Sequence, residues 1–551
     1  MHLKKIFFIA LITTCSLSTQ AQLSGGFESN SSVYIDDKKI NLDQIESGNR
    51  FRSNTYLRLD YRFEKFTAGV QVESYEPKSL LNYSPNFKGV NLGTYYVNYK
   101  NDSLRLDLTA GHFYEQFGSG LVFRSWEDRQ LGIANSIAGV RVKYAPFTPL
   151  QVTALYGKQR NGLGFDFTNS KVLGINAELD VANLLKAKKI KYAIGLNYVN
   201  RQEESNSNIL PSSTWLTSVS GKAQNGGFSA EAEYAFKSAD ALVEFGNVRP
   251  DLQFDGDAYL FNVGYSKKGL GINLSMRRLE NFAFYSQRNL AGNANNEGIV
   301  NYIPSLTKQH DYSLGNIYIY QAQPGLRFET GRNKAGEIGG QLDVIYQFKK
   351  DTQLGGKYGT NISLNFAQWH GLQGVYDAPT RRYKADLFAF GEKYYRETSI
   401  EIRKKWSPKL LSVVTYLNQY YNAKYVAETL GEVDANTGIT ENVLKVGKHN
   451  SVKLELQHQW ATGELKNWAA SQLEFNVGER WSFFALDLYN YGNPDPLKRI
   501  HFYNTGVVFK KDAIRVQTSY GRQRGGLVCV GGVCRFVPQS AGLNLALNAS
   551  F

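Results

Sequence analysis

Cys529 and Cys534 enclose Val530-Gly531-Gly532-Val533. The chemistry this spacing offers is a disulfide. Gly531-Gly532 suits a two-residue hairpin turn, in which both residues need positive φ. Val530 then faces Val533 and Cys529 faces Cys534, close enough to oxidise in an oxidising compartment. The loop so closed is tiny and the entropic gain is at the low end, so the bond is expected to pin the shape of an exposed loop tip. A redox-active role would call for a Cys-x-x-Cys pair at a helix start, and that context is missing.

A second constellation, Arg124, Glu127, Asp128 and Arg129 around Trp126, follows a clean strand. Both signs of charge in one inward-folding loop can line a constriction and set a field for solutes. The plainer reading is a surface loop tied by its own salt bridges. His310 beside Asp311 could bind a metal or move a proton, but one His and one Asp make no site on their own. Asp434, Asn436 and Gly438 start a calcium-loop pattern whose remaining oxygen ligands do not follow. Ser119 lacks the Gly-x-Ser-x-Gly elbow of a hydrolase nucleophile. His112, His310, His370, His449, His458 and His501 are scattered, none in a Ser or Asp motif. No catalytic residue, metal set or cofactor is therefore expected, and the protein reads as a non-enzyme.

What must position these residues is a run of strands. Leu57, Leu59, Tyr61 and Phe63 alternate with Arg58, Asp60 and Arg62. Side chains of a strand alternate faces, so one face is apolar and the other charged. The same alternation sets Leu104, Leu106 and Leu108 against Arg105 and Asp107, and Val140, Val142 and Tyr144 against Arg141 and Lys143. Further on it sets Ile400 and Ile402 against Glu401 and Arg403, Val452, Leu454 and Leu456 against Lys453 and Glu455, and Ile514 and Val516 against Arg515. Pairing through the turn after Phe63 is expected to put Arg58 opposite Glu73.

The last strand, Ala541 to Phe551, has Leu543, Leu545, Leu547, Ala549 and Phe551 on one parity and small polar residues on the other, with an aromatic terminus. An outer-membrane barrel closes with such a strand, apolar side to lipid and polar side to lumen. Connections alternate in length. Short ones fall near Glu64, Asn101, Asn225, Lys267, Ser407 and Gly478; long ones fall near 36–53, 77–89, 118–135, 201–213, 237–255, 280–337, 369–395 and 422–438. Short periplasmic turns and long outer loops predict one antiparallel barrel of roughly 24 strands, 22 to 26 allowed. So wide a ring needs something folded into its lumen, and 280–337 is the largest candidate.

Composition agrees. There are 35 Tyr and 32 Phe against 2 Met, a balance that favours strands over helices. No apolar run after the first 21 residues approaches the ~20 residues of a spanning helix. Lys4, Lys5, the apolar Ile6–Ile12 and a small-residue exit at Ala21 read as a secretory signal cut before Gln22, leaving 22–551 as the barrel. Strands begin near Ser24, which leaves no room for a plug domain ahead of the barrel. The net charge is +14. Export makes nucleic acid an improbable partner, so lipopolysaccharide phosphates outside or anionic solutes in the lumen are the expected counterparts.

Several stretches together resemble a known family. They are Phe113-Tyr114-Glu115-Gln116-Phe117-Gly118-Ser119-Gly120, Pro304-Ser305-Leu306-Thr307-Lys308-Gln309-His310, Gly355-Gly356-Lys357-Tyr358-Gly359, Leu454-Glu455-Leu456-Gln457-His458 and Cys529-Val530-Gly531-Gly532-Val533-Cys534-Arg535. They resemble an uncharacterised outer-membrane barrel family of Bacteroidetes-type bacteria, a domain of unknown function. The resemblance implies a barrel and carries no activity or substrate. Two functions are expected from the pattern: a porin-like conduit for solutes or polymers with a loop-occluded lumen, or a non-conducting subunit of an outer-membrane secretion, assembly or surface-attachment complex.

Overall fold

The computed structural model describes residues 21–551 except 43–49, 85, 205–208, 245–246, 330–331, 378, 380, 430 and 464. The secretory-signal reading of 1–21 lies outside the described residues except for Ala21, which opens the first strand. Twenty-four strands, from Ala21–Tyr34 to Ser540–Ser550, form one antiparallel sheet. Each pairs with its predecessor and successor, and the last closes on the first through Gly26↔Ser550 to Tyr34↔Gly542. The closed ring leaves no sheet edge, which is what allows a sheet to satisfy every backbone group without water.

The period-2 pattern is realised as expected. Leu196, Val219, Phe261, Val414 and Leu456 point outward and are exposed. Their inward neighbours include the polar Asn197, Ser218, Asn262, Thr415 and Glu455. Five of the eleven connections at the tight end are two-residue turns, as at Glu64-Lys65 between the paired Phe63 and Phe66, with Glu64 at φ 49°.

That turn corrects one expectation. It aligns Arg58 with Gln71 and Tyr56 with Glu73, two positions from the expected register. Arg58 instead meets Asp60 on its own strand at 2.7 Å. Arg105 is a second correction: it sits in the turn ahead of Leu106–Phe113 at φ 52°, a conformation that cannot continue a pleat. A third concerns 237–255 and 369–395, which are largely strand. Phe228–Glu244 pairs with Asn247–Lys267, and Thr360–Asp377 with Arg382–Lys405, as long hairpins interrupted by bulges. Bulges break the strict alternation, which is why these stretches read as loops.

Candidate functional site

Among the connections at the long-loop end that turn into the ring are 114–136, 281–335 and 524–539. The segment 281–335 holds inward-pointing side chains on strands spread around the barrel. Gln159 Nε2 donates to the Ile299 carbonyl at 2.8 Å, Arg201 Nη1 to Tyr285 at 3.0 Å and Arg277 Nη1 to Pro304 at 2.7 Å. On the other side of the ring Gln419 Nε2 donates to Tyr318 at 3.2 Å and Gln459 Nε2 to Leu314 at 2.9 Å. Irregular backbone inside a barrel has no ladder, so its carbonyls need such side-chain donors.

Buried charge fixes the same segment. Glu337, with no side-chain exposure, accepts from Arg277 at 2.6 Å, from the Tyr320 hydroxyl at 2.5 Å and from the Gln323 amide at 2.7 Å. Arg288 contacts Glu203 at 2.9 Å and Asp240 at 2.6 Å. His310 meets Glu397 at 2.8 Å, both buried, and the Tyr395 hydroxyl donates to the other Glu397 oxygen at 2.6 Å. His310 is thus a satisfied loop histidine, and its neighbour Asp311 is exposed. Burial raises the Tyr320 hydroxyl far above the ordinary phenol range and pushes Tyr318 up to about 12.

The wall is not polar along its whole height. Toward the long-loop end Leu155, Val199, Leu216 and Ala235 point inward and pack with Phe117 and Phe123 of 114–136 and Phe282 and Phe284 of 281–335. A dry core thus sits inside the ring, each buried large side chain contributing about 1.5–3 kcal/mol. Consecutive apolar residues such as Ala154-Leu155-Tyr156 mark it in the sequence.

The predicted constriction residues divide. Arg129 reaches the wall, meeting Glu28 at 2.5 Å and Gln71 at 3.2 Å, and pairs with Glu127 at 2.9 Å. Arg124 lies 3.9 Å from the centroid of the Tyr302 ring. Asp128 only closes its own turn, accepting from the amides of Gln130 and Leu131 at 2.9 Å each. Among predicted lumen residues, Arg58, Asp107 and Arg141 meet Glu127 around one cavity of about 360 Å³. Arg141 pairs with Asp107 at 3.0 Å, and Lys143 with Glu115 at 2.6 Å. Asp60 accepts from Tyr96 at 2.7 Å. Elsewhere Lys453 bridges Glu441 and Glu455, Arg403 lies 3.6 Å from Glu401, and Arg515 donates to Gln517. Arg62 is exposed beside its turn. Glu73 is buried against Arg160 at 2.7 Å, a partner 87 positions away that no local pattern reveals.

The Cys529–Cys534 disulfide is present, with Gly531 and Gly532 at φ 57° and 79°. Its hairpin is not an exposed tip. Cys534 and Arg535 are buried, and the turn docks on 281–335. Tyr302 Oη donates to the Gly531 carbonyl at 2.6 Å, and the Ser305 amide to Gly532 at 2.7 Å. Arg535 contacts Glu297 at 3.2 Å; burial draws the guanidinium down and raises the carboxyl. The glycines permit this seating. A Cβ on Gly532 would lie 2.7 Å from both Pro304 Cβ and the Ser305 carbonyl, whereas one on Gly531 would meet only the Tyr302 hydroxyl at 3.4 Å. Ala at either glycine should add about 1–3 kcal/mol of backbone strain from its positive φ, but only Gly532→Ala also drives into Pro304 and Ser305 and should speed hydrogen exchange at the Ser305 amide. Gly531→Ala should leave that amide much nearer wild type.

Comparison with known proteins adds the following. The chain is similar to a BenF-like porin from Pseudomonas fluorescens (TM-score 0.36, 8% identity, 97% of this chain and 98% of that one). It is similar to the siderophore receptor PirA from Pseudomonas aeruginosa (TM-score 0.42, 8% identity, 96% and 80%). It is also similar to OccAB3 of Acinetobacter baumannii (TM-score 0.34, 9% identity, 96% and 98%). No curated protein matches the sequence. A family model described as a family of unknown function (DUF6029) matches residues 2–551, and the chain belongs to that family.

Proposed function

We propose that this protein is an outer-membrane barrel of a Gram-negative, Bacteroidetes-type bacterium, a porin-like conduit for solutes or polymers. Its apolar outer face contacts lipid, and its lumen is held shut by 281–335 with 114–136 and the stapled hairpin. The observation that carries this reading is how the inner segments are held. They are held by hydrogen bonds, ion pairs and a small dry core against a complete wall, so they can leave without opening the ring. Charged residues such as Arg58, Asp107, Arg141 and Lys453 then line the passage and select by charge. No catalytic role is assigned.

The test is planar-bilayer recording of the full protein and of a form in which a short Gly-Ser linker replaces 281–335. The expected result is rare, small openings in the first and a steady, much larger conductance in the second. Silence in both forms would overturn the conduit.

A further inference from the structure

The chain's positive charge is collected at one end. Take the eleven connections at the short-turn end, with the two residues flanking each strand end. They hold 22 Lys and Arg against 7 Asp and Glu, a net +15, while the entire chain carries +14. The rest of the molecule therefore carries no net positive charge. The sequence pattern alone suggested counterparts at the outer surface or in the lumen; the fold puts the excess at the opposite rim.

This basic rim has apolar anchors set into it. The 181–190 connection exposes Leu184, Leu185 and Ile190 beside Lys186, Lys188 and Lys189. In 349–359, Leu354 is 63% exposed among Lys349, Lys350 and Lys357. Trp406 is 57% exposed, with Lys404 Nζ 4.7 Å from its ring centroid, and Lys405 lies over Tyr358. Apolar and aromatic side chains interleaved with lysines at the edge of an apolar band suit a headgroup layer, where stems and rings enter the acyl boundary and ammonium groups stay with phosphates.

We propose that the short-turn rim is a binding surface for anionic phospholipid headgroups in the leaflet at that end of the barrel. The inference rests on the membrane-spanning part of the functional reading and is independent of conduction. Seven of the eleven turns carry net positive charge, at intervals from Lys65 to Lys511, and a leaflet meets the rim at all of them; a single acidic protein partner would need only one patch. The ring also holds the barrel at a fixed depth, because each lysine near an anionic surface favours that position roughly fivefold.

The experiment uses the full chain in neutral-detergent micelles doped with fluorescent phosphatidylglycerol or fluorescent phosphatidylcholine, and measures lipid retained after gel filtration. The variant converts Lys186, Lys188, Lys189, Lys349, Lys350 and Lys357 to Gln. All six lie in turns, and retained heat-modifiable migration reports its folding. Wild type should retain phosphatidylglycerol over phosphatidylcholine by about tenfold or more, with the preference falling at high salt and at least several-fold in the variant. Equal retention of the two lipids by wild type, or an unchanged preference in the variant, overturns the proposal. So does an absent lipid preference alongside a stoichiometric acidic protein that purifies with wild type and is lost from the variant. Recovery of the chain in aqueous solution without detergent would instead remove the membrane reading itself.

Discussion

Glu337→Ala should release 281–335 from the wall while leaving the ring closed. One fully buried carboxylate accepts three donors there: Arg277 from the neighbouring strand, and Tyr320 and Gln323 from the inner segment. Removing it leaves the Arg277 guanidinium buried without its counter-charge, and breaking such a pair from one side costs about 3–5 kcal/mol. The Tyr320 and Gln323 donors left without an acceptor add to that. The strand Gly336–Phe348 keeps its ladder, because its pairing with Leu270–Glu280 and Thr360–Asp377 runs through backbone groups. The penalty therefore falls on docking of the inner segment. Limited trypsin digestion of the folded variant should cut at Arg288, Lys308 or Arg327, sites protected in wild type, and bilayer conductance should approach that of the form lacking 281–335. An uncut, silent variant would show that the segment is held by its other anchors, such as Arg288 with Glu203 and Asp240 and His310 with Glu397.

Arg160→Ala should be the most damaging single change to the wall. Arg160 and Glu73 are each 1% exposed, and the pair is doubly hydrogen-bonded at 3.0 and 2.7 Å. Gln71 and Tyr75 complete the shell of the carboxylate at 2.7 Å each. The pair ties the connection after Leu150–Gln159 to Phe66–Tyr75, strands that are not neighbours in the ring. The Ala variant strands a buried carboxylate, with an expected loss of about 3–5 kcal/mol. The Glu73→Gln, Arg160→Met double variant removes both charges and keeps the volume, and should recover most of that loss. Thermal unfolding in detergent, followed by loss of the strand circular-dichroism signal, measures both. A double variant as unstable as Arg160→Ala would place the effect in packing and not in the unpaired charge.

These two sites show where sequence reading stopped. The charged parity of Leu57–Phe63 was legible, and so was the inward side of Arg141 and Lys453. The partner of Glu73 was not, because ion pairs across a lumen have no period. The expected Arg58–Glu73 contact failed by two positions, since hairpin register depends on where a turn closes, and Glu64-Lys65 closes it early. The inner core was half-legible: Leu155 and Val199 break the alternation, but a chain pattern does not say what covers them. The hairpin at Gly531-Gly532 and its disulfide were legible because all six residues are local; its burial was not.

By itself the sequence determined which parity faces outward and, to within a hairpin, how many strands close the ring, because strand alternation and turn chemistry act over a few residues. Only the tertiary structure decided that separate loops meet inside, that Glu337 and Glu397 anchor the largest of them while Glu73 holds the connection at Arg160, and that the positive charge gathers at one rim. Those are relations between residues tens to hundreds of positions apart, and they exist only once closure brings every second connection to the same end.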